Sequence, residues 1–232
     1  MDPRVLRAYQ EALAQLVSAS DRATATLFGR LVRSADPVEV REALELAVPE
    51  LVERYGRVAG ELSAEWFTAL DPSDGFRPTL PPPAPPAQAA RSAAWAVQPV
   101  FDGAPAVALS RLSGSTERLV RQAARQTIVH NSERLGVPFA RVARAEACGF
   151  CRMLASRGFV YADDEVAGGV TGVAYHDVCR CVALPKRRGI TEEDVPNLER
   201  FRDQYLEARS GIANTTSKDA LREILSNMSA AH

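Results

Sequence analysis

The sequence predicts a mainly α-helical fold with one small α+β module. Apolar residues recur at helical spacing through much of the chain, and a proline-rich stretch divides the helical regions. All four cysteines lie between residues 148 and 181, which marks the module. The chain is therefore divided into an N-terminal helical hairpin, a proline-rich linker, a central helical segment, the α+β module and a C-terminal helical tail, at 1–70, 71–87, 88–137, 138–187 and 188–232.

Length and charge narrow the class of protein. A chain of 232 residues is long enough for one or two domains with a real core. Its 28 basic and 29 acidic side chains nearly cancel, so no global field attracts nucleic acid or a membrane surface. We find neither an apolar run of about 18 residues nor a basic and apolar leader, and we expect a soluble intracellular protein.

Two long helices are predicted at the N-terminus. Apolar positions over 3–33 follow one helical stripe, and a second stripe follows over 37–70. Asp36 suits the N-cap of the second helix, and Glu39 can complete a capping box. The connection is short, which makes an antiparallel hairpin, and Pro49 predicts a kink or a short break in the second helix.

The prolines of 78–86 predict an extended, semi-rigid strap, which we expect to lie over the surface rather than to serve a proline-reading partner. A short helix should follow over 87–97, with Trp95 facing the core. The next helix is expected over 106–112 and 115–135, with a weak join at the intervening glycine.

Basic residues of that helix form a row. Arg118, Arg121 and Arg125 share one face, and we expect that face to be solvated, although such a row could also meet DNA or an acidic partner. His130 near the helix end is expected to face solvent and to complement the helix dipole.

The cysteines are spaced as metal ligands. Cys148 and Cys151 form a C-x-x-C knuckle, and His176 precedes Cys179 and Cys181 in an H-x-x-C-x-C segment. This donor set predicts one structural Zn²⁺ held in tetrahedral geometry. There are five candidates for four positions. We expect Cys148, Cys151 and Cys181 to bind, and the fourth position is either His176 or Cys179, with His176 preferred because we expect Cys179 to face away from Cys181 in a straight strand.

Two other interpretations of the cysteines stay open. Two disulfides are possible chemically, but nothing in the chain implies an oxidising compartment. Thiol oxidoreductase chemistry at Cys148 and Cys151 lacks the expected βαβ context.

The rest of the module is predicted as strands over 139–144, 159–161 and 182–184, with a helical turn after Cys151 and a loop over 162–174. A unit this small usually needs a staple, which zinc would supply.

The tail is predicted to contain a helix pair. Thr191 should cap a helix over 196–210, and a last amphipathic helix should begin near Ser217 and serve as a docking element. The basic triplet at 186–188 is weak evidence for phosphate binding.

Two segments around the cysteines resemble a known family. Residues 151–158 read CRMLASRG, and residues 175–181 read YHDVCRC. Both resemble the MuF-like phage head morphogenesis family of minor capsid proteins, in the version found in tailed phages of actinobacteria. A looser similarity runs upstream through 66–67, 75–78, 94–96 and 109–114.

The resemblance implies a minor head component that acts in head assembly, DNA packaging or ejection. Its expected partners are the portal protein and other head proteins, with a contact to packaged DNA, but neither a membrane nor a small-molecule substrate. Its expected location is the capsid interior near the portal, and the host cytoplasm during assembly. We expect no catalysis, because the sequence shows no paired-carboxylate site, G-x-S-x-G or P-loop. The alternative is a zinc-module nucleic-acid binder using the basic residues at 118–125 and 186–188.

Overall fold

A computed structural model describes residues 1–162, 179–212 and 217–230. Within these ranges the protein has seven α-helices and a two-stranded sheet, so the mainly helical prediction with a small sheet is confirmed. The elements are α1 (Pro3–Ser34), α2 (Pro37–Leu70), α3 (Pro86–Phe101), α4 (Pro105–Leu135), β1 (Phe139–Val142), α5 (Gly149–Ala155), β2 (Val182–Pro185), a 3₁₀ turn (Glu192–Asp194), α6 (Leu198–Ala208) and α7 (Lys218–Ala230).

Helices α1 and α2 form the predicted pair, and the capping box between them is present. The Asp36 carboxylate accepts hydrogen bonds from the amides of Val38 and Glu39 at 2.8 and 3.0 Å. The Glu39 carboxylate accepts the Asp36 amide at 3.2 Å in return. Of the kink or short break predicted at Pro49, the break is wrong, because α2 is one helix through that residue, and the kink stays a prediction.

The proline-rich strap lies against α4. The Asn131 side chain accepts the Thr79 amide at 2.9 Å and donates to the Thr79 carbonyl at 2.8 Å, so it binds the strap as a second strand would. Arg134 donates to the carbonyl of Arg77 at 3.2 Å. His130, expected to face solvent, is partly buried and lies 3.2 Å from the Thr79 hydroxyl. The strap is therefore attached by polar contacts to the last turns of α4.

Helices α3 and α4 differ from their predicted form in two ways. Helix α4 is continuous through Gly114, because its neighbours α1, α2 and α3 pack along its length. Trp95 does not face the core; it is 51% exposed, with the Arg111 guanidinium 5.0 Å from its ring centre. The buried stripe of α3 consists of smaller residues, namely Ala89, Ala93, Ala96 and Val97.

The small sheet is continuous with the helical core. Strands β1 and β2 are antiparallel, with Phe139 opposite Pro185 and Val142 opposite Val182. Every residue of both strands is buried, and the same core cluster contains residues of α1, α2 and α4. Of the predicted strand over 159–161, only Tyr161 pairs, through an isolated bridge to Phe139. The loop predicted over 162–174 falls almost entirely outside the described residues.

The chain after β2 returns to the end of α2. Arg187 is 4% exposed, pairs with the Asp74 carboxylate at 2.6 Å and lies 4.5 Å from the centre of the Phe67 ring. The middle residue of the basic triplet is therefore buried, which removes much of the support for phosphate binding there. Thr191 caps the 3₁₀ turn, whereas α6 follows Asn197. In the described part of the chain, no helix combines the length and the apolar character needed to cross a membrane.

Candidate metal centre

Three thiols meet in the interior. Cys151 lies on α5, and Cys179 and Cys181 lie just before β2. All three are buried, and their sulfur atoms lie within 4.8 Å of one another. The Cys151 and Cys179 sulfurs are 3.6 Å apart. Tetrahedral zinc with Zn–S bonds of about 2.3 Å would place two sulfurs about 3.8 Å apart. The three cysteines are therefore spaced to hold a metal ion.

The C-x-x-C knuckle begins helix α5. Cys148 is its N-cap residue, and Cys151 follows in the first turn with its side chain buried. Gly149 lies between them at the contact with α7, where a Cβ atom would meet the Ser229 hydroxyl at 2.6 Å and the Leu225 carbonyl at 3.0 Å. The glycine therefore allows α7 to pack directly against the start of α5.

Cys179 differs from its predicted orientation. We expected it to point away from Cys181, but its sulfur lies beside those of Cys151 and Cys181. The expectation was wrong because side chains two residues apart share a face in extended backbone. The ladder with β1 begins only at Val182. Instead, Arg125 of α4 donates from Nε to the Cys181 carbonyl at 2.9 Å and from Nη2 to the Cys179 carbonyl.

The predicted solvated row of arginines is therefore wrong at two of its three positions. Arg121 and Arg125 are 5% and 3% exposed. Arg121 pairs with the buried carboxylate of Glu117 at 2.7 Å, and Arg180 lies 3.9 Å from the same carboxylate. The i, i+4 spacing of basic residues is the same on a surface helix and on a surrounded one. Only the packing of α1, α2 and β2 around α4 distinguishes them.

Arg152 is a second residue whose role the sequence did not reveal. It follows Cys151 and is 1% exposed, and it donates to the Gln204 side chain at 3.1 Å and to the Met228 carbonyl. It therefore ties α5 to α6 and to α7. Arg152 belongs to the CRMLASRG segment on which the family resemblance rests, but no spacing rule identifies the partners of its side chain.

A cavity of about 410 Å³ adjoins the thiols. Cys148 is exposed on its wall and lies outside the group of three sulfurs. His176 lies outside the described residues. Cys148 and His176 are thus the two predicted donors that the group of three sulfurs does not include, and the ranking of ligands made from the sequence stays a prediction. The cavity is lined by Arg144, Glu146, Ala147, Cys148, Cys151, Cys179, Arg180 and Cys181.

The surroundings favour a thiolate at Cys179. Hydrogen bonds from the Cys151 and Cys181 thiols hold the pKa of the Cys179 thiol far below its usual range, and the Arg125 charge lowers it further. Hydrogen bonds with Cys179 and Cys181, together with burial, raise the pKa of the Cys151 thiol. None of the four cysteines, all within the described residues, forms a disulfide. Clustered thiols beside buried guanidinium groups suit a thiophilic cation, because thiolates are the metal-binding form.

The fold and the site together define a helical protein with a buried cysteine cluster able to bind a metal. The model of the family described as VG15 protein matches residues 1–208, and the chain belongs to this family, which is a viral (phage) family. The match extends beyond the cysteine segments through α6. No curated protein and no solved structure matches the chain.

Proposed function

We propose that the protein is a structural minor capsid protein of a tailed phage. It associates with the portal and the capsid interior and acts in head assembly, DNA packaging or ejection. The observation that carries this proposal is the match of residues 1–208 to a phage protein family. The MuF-like segments around the cysteines support the head assignment within that family.

The role proposed is one without catalysis. Buried charged side chains in the described ranges are engaged in packing: Arg121 pairs with Glu117, and Arg187 pairs with Asp74. Arg125 binds backbone carbonyls. These contacts support a structural use of charge in the interior.

The test is made in the parent virion. Mass spectrometry of purified virions should detect the protein at a fixed copy number per portal ring, and a cryo-EM map of the portal vertex should contain density that fits α1–α4. Co-expression with the portal protein should yield a complex on size exclusion. A protein present in infected cells but missing from mature virions and from the portal complex would contradict the proposal.

We propose structural zinc as the metal of the cysteine cluster. The donor set is sulfur-rich and buried, and the sulfurs of Cys151 and Cys179 are already near the spacing that zinc requires. Purified protein should contain about one zinc per chain by elemental analysis. Folded protein with four reactive thiols and no metal would contradict it.

The alternative of nucleic-acid binding has lost most of its support. Arg121, Arg125 and Arg187, which belonged to its two basic clusters, are buried in structural contacts. A DNA-binding titration at two salt concentrations separates the alternatives. A nucleic-acid binder loses affinity steeply as salt rises, and the structural role predicts weak binding at low salt only.

A further inference from the structure

One arginine binds both residues of the Cys-x-Cys pair. Arg125 lies on α4, is 3% exposed, and donates to the Cys181 carbonyl at 2.9 Å and to the Cys179 carbonyl. The planar guanidinium fixes its donors in a rigid fork, so the two carbonyls must lie on its side together. One side chain thus holds backbone carbonyls that lie 54 and 56 positions further along the sequence.

This contact fixes the backbone that carries both sulfurs. Residues 179 and 181 lie two apart, so in extended backbone their side chains share a face, but the ladder between β1 and β2 begins only at Val182 and does not hold this stretch in place. Upstream of that point, the described contacts of the backbone carbonyls run to Arg125 rather than to β1. Both cysteines then present sulfur toward Cys151 of α5.

The charge of Arg125 also favours metal binding at the three cysteines. A divalent cation with three or four thiolates carries a net negative charge, which is costly to bury. A buried guanidinium beside the site offsets that charge, and bonds to the carbonyls hold it in place. Groups that orient metal ligands in this way typically change metal affinity by about 10- to 100-fold when they are replaced.

We propose that Arg125 is the positioning residue of the metal site, and that the bound cation locks residues 179–181 onto helix α4. The inference rests on the proposed metal at Cys151, Cys179 and Cys181. The cation belongs to the thiophilic divalent class, with zinc as the natural occupant and Co²⁺ as the spectroscopic probe. Metal binding would then join the cysteine region to the central helix of the bundle.

The experiment compares two equally buried arginines of one helix. Arg125→Gln removes the fork from the cysteine carbonyls, and Arg121→Gln removes a buried guanidinium that pairs with Glu117 instead. Co²⁺ titration of each full-length variant, followed by the sulfur-to-cobalt charge-transfer band and by competition with zinc, gives the affinities. We expect Arg125→Gln to weaken zinc binding by about 10- to 100-fold and Arg121→Gln to leave it close to that of the wild-type protein.

Arg125→Lys separates charge from geometry. Lysine keeps the charge but lacks the bidentate fork, so we expect it to restore only part of the affinity. Full restoration would show that charge alone matters and would overturn the positioning role. Equal zinc affinity in Arg125→Gln and the wild-type protein would overturn it as well. Failure of the wild-type protein to bind Co²⁺ or zinc would instead remove the proposed metal site, and this inference with it.

A thermodynamic cycle covers the case in which Arg125→Gln folds poorly. Arg125→Lys is combined with Cys151→Ser, and the melting temperatures of the four proteins are measured with zinc and with chelator. We expect Arg125→Lys to lower the melting temperature more in the zinc-bound wild-type background than in the Cys151→Ser background. Equal lowering in both backgrounds would show that Arg125 serves the fold alone.

Discussion

The helical body, α1–α4, and the cysteine region, which we take as 139–155 and 179–208, are stabilised differently. Helices α1–α4 bury long apolar stripes, and Tyr9 of α1 and Ser63 of α2 share a neutral hydrogen bond of 2.8 Å. The cluster of buried apolar residues around the thiols is small and includes three cysteines. The two largest fully buried side chains of the described residues, Arg141 and Arg152, belong to the cysteine region.

The stability of the helical body is spread over many apolar side chains, whereas that of the cysteine region rests on a few contacts. Removing one apolar side chain from a large core costs the burial of that side chain and the cavity it leaves. A buried cation that loses its partners costs more, because it is left in a low-dielectric interior without compensation. The cysteine region therefore depends on a few specific contacts, and a metal at the thiols would be the strongest of them.

Metal removal should give the largest effect and should act on one region. Chelation of zinc, or Cys151→Ser, should lower hydrogen-exchange protection in 149–155 and 179–208 while α1 and α2 keep theirs. Structural zinc contributes roughly 10–16 kcal/mol of apparent binding free energy in small zinc-dependent domains, so a loss of several kcal/mol is expected even where the core is shared.

Hydrogen-exchange mass spectrometry with and without chelator measures this directly. Uniform loss of protection through α1–α4 would mean that the two regions unfold as one unit. Unchanged protection around the cysteines would mean that the thiols alone support the region.

The body is tested by Leu44→Ala. Leu44 is fully buried in a core cluster that contains no cysteine, and its truncation should cost about 2–5 kcal/mol by urea unfolding. Leu46→Ala is the matched control on the same helix, since Leu46 is 76% exposed and should change stability by no more than about 0.5 kcal/mol. Zinc content should be unchanged in both variants. Loss of zinc in Leu44→Ala would contradict the separation of the two regions.

Sequence reasoning succeeded where structure is set locally. The start of α2 follows from Asp36 and Glu39, because a capping box needs only residues three apart. Trp95 and Arg125 were misplaced, because their environments depend on which distant elements pack around them. Periodicity gives the faces of a helix, but it does not show that a central helix such as α4 is covered on nearly every side.

The same reasoning applies to the site. The spacing of the cysteines predicted a metal cluster, and three of them do meet. The prediction that Cys179 points away from Cys181 misapplied the alternation of strand side chains, which places residues two apart on one face. The guanidinium that holds both carbonyls could not be predicted, because it lies more than 50 residues away in sequence.

Asn131→Ala should release the strap at a smaller cost. Asn131 is fully buried and makes both hydrogen bonds to Thr79, so its loss leaves backbone groups unsatisfied at about 1–3 kcal/mol. Limited proteolysis of the native protein should then cut faster within 78–86. Asn227→Ala is the control, since Asn227 donates to the Ala208 carbonyl on another surface. Fast cleavage within 78–86 in the unmodified protein would show instead that the strap is a free linker.

Asp36→Ala should give the smallest effect, because the contacts it removes are local to the α1–α2 connection. Its carboxylate satisfies two amides at the start of α2, and loss of such a cap costs about 1 kcal/mol. Asp36→Asn is the decisive comparison: asparagine keeps the accepting oxygen and loses the charge, so it should retain most of the stability if the hydrogen bonds matter. If both variants lose stability equally in urea unfolding, the charge at the helix N-terminus is the source instead. Neither variant should alter zinc affinity, because a cap at the far end of the hairpin touches none of the contacts that hold the thiols together.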